Sequence, residues 1–305
     1  TGSKYYNMNK HVFFDQLTAA LASTALGKNR FFSQSIESPG YKAFLDEITL
    51  SVSSLEEGIH ETEINISNET LDPAYYVAQW KGTGYPTIIY HHGNNERPFD
   101  FSRYAKNSFR TIFMDQKDPI DANLIAIRAP FHHSTLRAYQ KKVGHLSSFV
   151  AMLAASTKLI DALVDELRNK TDSRIIVSGI SLGGWVTNLH RSFYNKADVY
   201  VPMLAGAALD HLFTDSPYRK MGGKLARNNP QQIKNTLNFE EAFKKVKDDN
   251  VFPLLGRYDQ YIQYRRQKEI YRQDRIKILN TGHVTSFLAG KKLQAHIKSV
   301  LQKKP

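Results

Sequence analysis

Gly179-Ile180-Ser181-Leu182-Gly183 follows the β-branched run Arg174-Ile175-Ile176-Val177-Ser178 and precedes a helix-compatible stretch. A serine on so sharp a strand-to-helix turn takes strained backbone angles. The residues two before and two after it must therefore lack bulk where strand and helix cross, and Gly179 and Gly183 meet that need. The turn also aims the N–H of Leu182, and the positive end of the following helix, at any oxyanion forming beside Ser181. A nucleophile paired with an oxyanion donor points to acyl transfer.

A serine hydroxyl attacks only when a base lies within hydrogen-bond reach and a third group orients that base. For a serine on such a turn, the acid and then the histidine follow it along the chain. Asp259 stands just past the apolar run Leu254-Leu255, and His283 just past Leu279-Asn280-Thr281-Gly282. Both sit at carboxyl ends of predicted strands, on the rim that holds Ser181. His283 is the expected base and Asp259 its orienting acid; Asp210, in Ala208-Leu209-Asp210-His211, is a rival acid, and His296 falls within a terminal helix. The turn His91-His92-Gly93-Asn94-Asn95, leaving Ile88-Ile89-Tyr90, supplies a second oxyanion donor, the N–H of Asn94. His92 and Asn95 in that turn, with Phe131 and His132 in the loop 129–134, are expected to line the substrate. The pairs His91-His92 and His132-His133 lack a carboxylate at ligand spacing, so no metal is expected.

These residues need a sheet to hold them. From Tyr85 short apolar strands alternate with helical segments, as in βαβ units of a mainly parallel sheet. The predicted strands are 87–90, 124–128, 174–177, 199–204, 251–255 and 275–279. Residues 46–53, 59–67 and 72–81 read as an antiparallel opening, and Val12, Phe13, Leu17, Leu21 and Leu26 space out a helix over 11–26. Between Gly206 and Asp249, Pro217, Gly222-Gly223 and Asn229-Pro230 break the pattern into short helical pieces, as in a lid or cap. The expected organisation is an N-terminal helical extension over 1–45 and one α/β domain over 46–305, with the cap inserted at 206–249. The longest apolar stretch, Leu146 to Thr157, runs into Lys158 and Asp161 and reads as an amphipathic helix rather than a membrane span.

Hydrophobic residues make up 41% of the 305 and charged residues 23%, as in folded soluble chains. There is no cysteine, which excludes disulfides, thiolate metal sites and a thiol nucleophile. The net charge of +12 is unevenly spread. From Pro217 onward there are 20 Lys and Arg against 7 Asp and Glu, and before it 21 against 22. Such a cationic last third suits a solvated surface or peripheral contact with an anionic membrane, and no nucleic-acid motif accompanies it. No signal peptide is visible in a chain beginning Thr1-Gly2-Ser3; a cytoplasmic location is expected, or an extracytoplasmic one if a leader has been removed.

Taken together, Gly-Ile-Ser-Leu-Gly at 179–183, the His92-Gly93 turn, Asp259 and Gly282-His283 resemble the α/β-hydrolase superfamily, serine esterase and lipase type, over residues 85–304. The turn His92-Gly93-Asn94-Asn95 departs from the His-Gly-Gly-Gly run of many small-ester esterases. The resemblance implies a mostly parallel eight-stranded sheet flanked by helices, a Ser181, Asp259 and His283 triad, and hydrolysis through an acyl-enzyme without a cofactor. The expected function is cleavage of a carboxylic ester, as a carboxylesterase or lipase acting on a small-molecule or lipid ester. A non-catalytic scaffold of the same fold, binding a ligand or partner, is the alternative.

Overall fold

The computed structural model describes residues 9–303, apart from 53, 67 and 68. The first eight residues of the predicted extension, and the ends of the strands predicted over 46–53 and 59–67, lie outside the described residues.

The strands are β1 (Gly58–Glu61), β2 (Ile64–Ile66), β3 (Glu69–Leu71), β4 (Ala74–Gln79), β5 (Thr87–His91), β6 (Asn123–Arg128), β7 (Ile175–Ile180), β8 (Val199–Met203), β9 (Leu254–Gly256) and β10 (Lys277–Leu279). Among the described residues, eight of them form one sheet in the order β1-β4-β6-β5-β7-β8-β9-β10, while β2 and β3 pair as a separate hairpin. The β1–β4 and β4–β6 ladders are antiparallel, and every ladder from β6 to β10 is parallel. All residues of β5, β6, β7 and β8 are buried, because helices cover both faces of the sheet. That is why these strands read as unbroken apolar runs rather than alternations.

The helices are α1 (Lys10–Leu26), α2 (Tyr41–Glu47), α3 (Leu136–Lys142), α4 (Leu146–Lys170), α5 (Leu182–Phe193), α6 (Asp210–Thr214), α7 (Lys224–Asn228), α8 (Pro230–Leu237), α9 (Glu240–Lys245), α10 (Tyr264–Gln267), α11 (His283–Phe287) and α12 (Gly290–Leu301). Alternate strand side chains feed two cores. Ile89, Ile125, Ile127 and Val177 pack with Leu153, Ile160 and Leu163 of α4 and Trp185 of α5. Ile88, Tyr90, Leu124 and Ile176 pack with Phe109, Ile112 and, from α12, Leu293 and Ile297. By length and composition α4 could cross a membrane, but 83% of its most apolar window is buried inside the protein. Its apolar surface is taken up by the sheet and by the neighbouring helices α2 and α5.

The opening of the chain departs from its sequence reading. Residues 46–47 end α2, and the stretch after it joins no ladder among the described residues. Ile48 and Leu55 there are buried against the body, so the alternation that looked like a strand serves packing alone. The predicted strand 59–67 is divided by a corner at Thr62, whose N–H and hydroxyl both donate to the carbonyl of Pro73 (3.1 and 2.6 Å). The run 251–255 contributes only an isolated bridge from Val251 to Tyr200 before β9 begins at Leu254, beyond Pro253, which has no N–H for a ladder.

Between β8 and β9 lie α6 to α9 and a 3-10 turn at Pro217–Met221. The segment after α1 is stitched to this insert: Phe31 N–H donates to the Met221 carbonyl (3.0 Å) and Gly223 N–H to that of Phe31 (2.7 Å). Phe213 of α6 meets Phe31 and Phe32 at ring separations of 5.4 and 4.7 Å.

Candidate active site

Ser181 joins β7 to α5 with φ 54° and ψ −110°, in the left-handed region that side chains avoid. The flanking glycines make this turn sterically attainable. A Cβ on Gly179 would lie 2.4 Å from the Gly183 carbonyl carbon, and one on Gly183 would lie 2.1 Å from the His91 carbonyl oxygen. The second contact also shows how closely the end of β5 is laid against the serine turn.

Three side chains from three strand ends meet there. The Ser181 hydroxyl donates to His283 Nε2 (3.0 Å), and His283 Nδ1–H donates to Asp259 Oδ2 (2.8 Å). Asp259 follows β9, and His283 opens α11 just after β10. The other carboxylate oxygen of Asp259 accepts the N–H groups of Tyr261 (2.9 Å) and Ile262 (2.8 Å), which lock its rotamer. Burial of His283 disfavours its charged form, but the carboxylates of Asp259 and Asp15 outweigh burial and raise its pKa above the ordinary histidine value. The two carboxylates thus stabilise the imidazolium that forms when His283 takes a proton. Asp210, the rival acid, accepts instead from Asn238 (2.9 Å) in the insert.

The turn after β5 is braced from below. Glu96, buried, accepts the N–H of Gly93 (2.7 Å) on one oxygen and that of Ser108 (2.6 Å) on the other. Burial pushes its pKa up to about 7. The Asn94 side chain is held between the hydroxyls of Tyr139 of α3 and Tyr218 of the insert. Among the described residues, neither the Asn94 N–H nor the Leu182 N–H donates to a protein acceptor, so both are free for an oxyanion.

His92 and His132, read from the sequence as substrate contacts, are buried supports of that turn. His92 Nε2 accepts from Ala129 N–H (3.1 Å), which leaves the proton on Nδ1, and that proton goes to the Gly93 carbonyl (2.6 Å). His91 stacks on His92 (4.8 Å), His132 packs on His92 (4.6 Å), and Tyr139 packs on His132 (4.7 Å). Burial lowers the pKa of His91 to about 3 and of His132 to about 4, and takes His92 well below the usual value. Phe131, at φ 69°, is buried with its N–H on Asp72 (2.9 Å), and Asn95, at φ 59°, is exposed at the tip of the turn. Glu96 and Asp15 escaped the sequence reading. Glu96 had a signal, an acid three residues after the turn glycine. Asp15 had another, being the sole acid in the apolar run 11–26. A cleft of about 350 Å³ lined by Arg30, Phe213, Arg219 and Arg227 lies apart from the triad, none of whose members lines it.

No protein-family model and no curated protein matches this sequence. Solved structures do match. An acylaminoacyl peptidase from Pyrococcus horikoshii is similar at a TM-score of 0.51 and 14% identity, over 81% of this chain and 42% of that one. Acetyl xylan esterase 1 from Thermoanaerobacterium sp. has a TM-score of 0.51 and 14% identity, over 89% of this chain and 98% of that one. An esterase from Pyrococcus furiosus gives 0.50 and 15%, over 87% and 98%. The fold is that of the α/β hydrolases. In this α/β-hydrolase fold the carboxyl ends of β7, β9 and β10 carry Ser181, Asp259 and the loop to His283 on one rim of the sheet. This chain spans less than half the length of the peptidase and nearly all of both esterases.

Proposed function

We propose that the protein is a serine hydrolase that cleaves carboxylic esters through an acyl-enzyme. The observation that carries this reading is the unbroken relay from Ser181 through His283 to Asp259. Ser181 Oγ attacks the ester carbonyl carbon while His283 Nε2 takes its proton, and the carbonyl oxygen becomes an oxyanion facing the N–H groups of Leu182 and Asn94. His283 then returns the proton to the departing alkoxide as the C–O bond breaks. Water repeats the sequence on the acyl-enzyme, releasing the acid and restoring Ser181. Asp259 holds the imidazole in the tautomer that leaves Nε2 free. In the same reading, residues up to 45 form an extension and 206–249 a cap over one domain.

Fluorophosphonate labelling read by intact mass, with hydrolysis of a short and a long p-nitrophenyl ester, tests this. Labelling of the wild type that vanishes in Ser181→Ala and His283→Ala is expected. A folded wild type that neither labels nor hydrolyses either ester overturns the reading in favour of a binding scaffold.

Within ester hydrolysis, an anionic lipid surface as the place of work is favoured by α1, which exposes Phe13, Phe14, Leu17 and Leu21. The net charge of +12 complements such a surface. Binding to anionic vesicles that weakens with salt is expected. Binding that is absent, or indifferent to salt, removes this option and leaves a soluble ester.

A further inference from the structure

Asp15 is the sole acid of α1, and it is fully buried. Its carboxylate accepts three backbone N–H groups: Oδ2 from Gln260 (3.0 Å) and His283 (2.8 Å), and Oδ1 from Val284 (2.9 Å). The first belongs to the loop of Asp259 and the other two to the start of α11, so one carboxylate bridges the two loops that carry the acid and the base. The Asp15 carbonyl also accepts the Tyr261 hydroxyl (2.7 Å). One turn earlier, His11 bonds Thr285 Oγ1 (2.8 Å) and stacks on Tyr258 with ring planes 5° apart. The approach is close: a Cβ on Gly282 would lie 2.8 Å from Asp15 Oδ2.

Backbone bonds already join the two loops just before the triad residues, from Arg257 N–H to the Leu279 carbonyl (2.7 Å) and from Tyr258 N–H to that of Thr281 (3.0 Å). Beyond them it is Asp15 that bonds the backbone of His283 itself and of Gln260, next to Asp259. We infer that Asp15 is a positioning residue of the triad, its carboxylate clamping the loop 258–261 to the loop 282–285 and so setting where the His283 ring stands between Asp259 and Ser181. This rests on the serine hydrolase reading above. A carboxylate suits the task because all three partners donate; an amide in its place would turn an N–H₂ toward one of them. Burial and the nearby Asp259 raise the Asp15 pKa, and the three N–H groups oppose that rise. The titratable groups around His283 are Asp259, Asp15 and Tyr261, with His11 bonded to Thr285 and stacked on Tyr258.

The test compares wild type, Asp15→Asn and Asp15→Ala by kcat, KM, the pH dependence of kcat/KM and thermal unfolding. A displacement of the base by about 1 Å costs on the order of 100-fold. Asp15→Ala is therefore expected to lose about that much in kcat with KM little changed, and Asp15→Asn to lose less. Removing a negative charge lowers the His283 pKa, so the acid limb of the profile should move to lower pH in Asp15→Asn. A purely structural residue would lower the melting temperature and leave kcat of the folded enzyme unchanged. If Asp15→Ala does not fold, Asp15→Asn alone decides: unchanged kcat with an unmoved acid limb overturns the inference. Titration of the His283 imidazole by NMR separates this from failure of the hydrolase reading. A wild type without activity overturns that reading, while a His283 pKa that fails to fall in Asp15→Asn overturns this one.

Discussion

His283 and the stack of His91, His92 and His132 are all buried histidines near the rim of the sheet that carries Ser181, yet their environments drive them in opposite directions. His283 faces two carboxylates, which raise its pKa despite burial. The stack faces backbone groups, its own members, Tyr139 and the Arg128 guanidinium, and burial first, then the neighbouring positive charges, disfavour its charged form. Burial alone therefore does not decide what a histidine does; the charge placed against it does. In one region carboxylates favour the proton on the imidazole, and in the other the histidines hold a turn and stay neutral until well below the ordinary histidine range.

Breaking the first region should have the largest effect. His283→Ala is expected to lower kcat by about a million-fold, since nucleophile and base act as a unit. Asp259→Asn leaves the ring in place but favours the wrong tautomer, and a loss of about 10,000-fold is expected. Both are read from single-turnover and steady-state ester hydrolysis. In the second region, His92→Ala removes the acceptor for Ala129 N–H and the donor to Gly93, and should destabilise the fold by about 1–3 kcal/mol in urea unfolding. The acid limb of the pH–rate profile should not move in that variant, because the stack does not titrate with the reaction. If it does move, the division between the two regions is wrong.

The smallest effect sharpens the contrast through stability alone. The stack histidines have folded pKa values below the unfolded 6.5, so the stability they confer is complete above pH 6.5 and is lost as the pH falls toward about 4 and then about 3. His283 has a folded pKa above 6.5, so its contribution is complete below 6.5 and is lost as the pH rises through the folded value. Urea midpoints measured across pH should show an acid decline that weakens in His132→Phe. The decline at higher pH should weaken in Asp259→Asn, which removes the partner charge.

What the sequence determined by itself is what depends on neighbours along the chain. Gly179 and Gly183 around Ser181 state a steric requirement within five residues, and the strands 87–91, 123–128 and 175–180 announce their burial through apolar content. The positions of Asp259 and His283 after short apolar strands were legible for the same reason. The strand read over 46–53 went astray because alternation cannot tell a paired strand from an extended segment packing its side chains. Tertiary structure alone decided the rest. Asp15 meets His283 across 268 residues of sequence, and His92 meets Ala129 across 37. Whether a polar side chain is buried, and which backbone N–H groups converge on it, follows from how distant elements stack, and no local pattern encodes that.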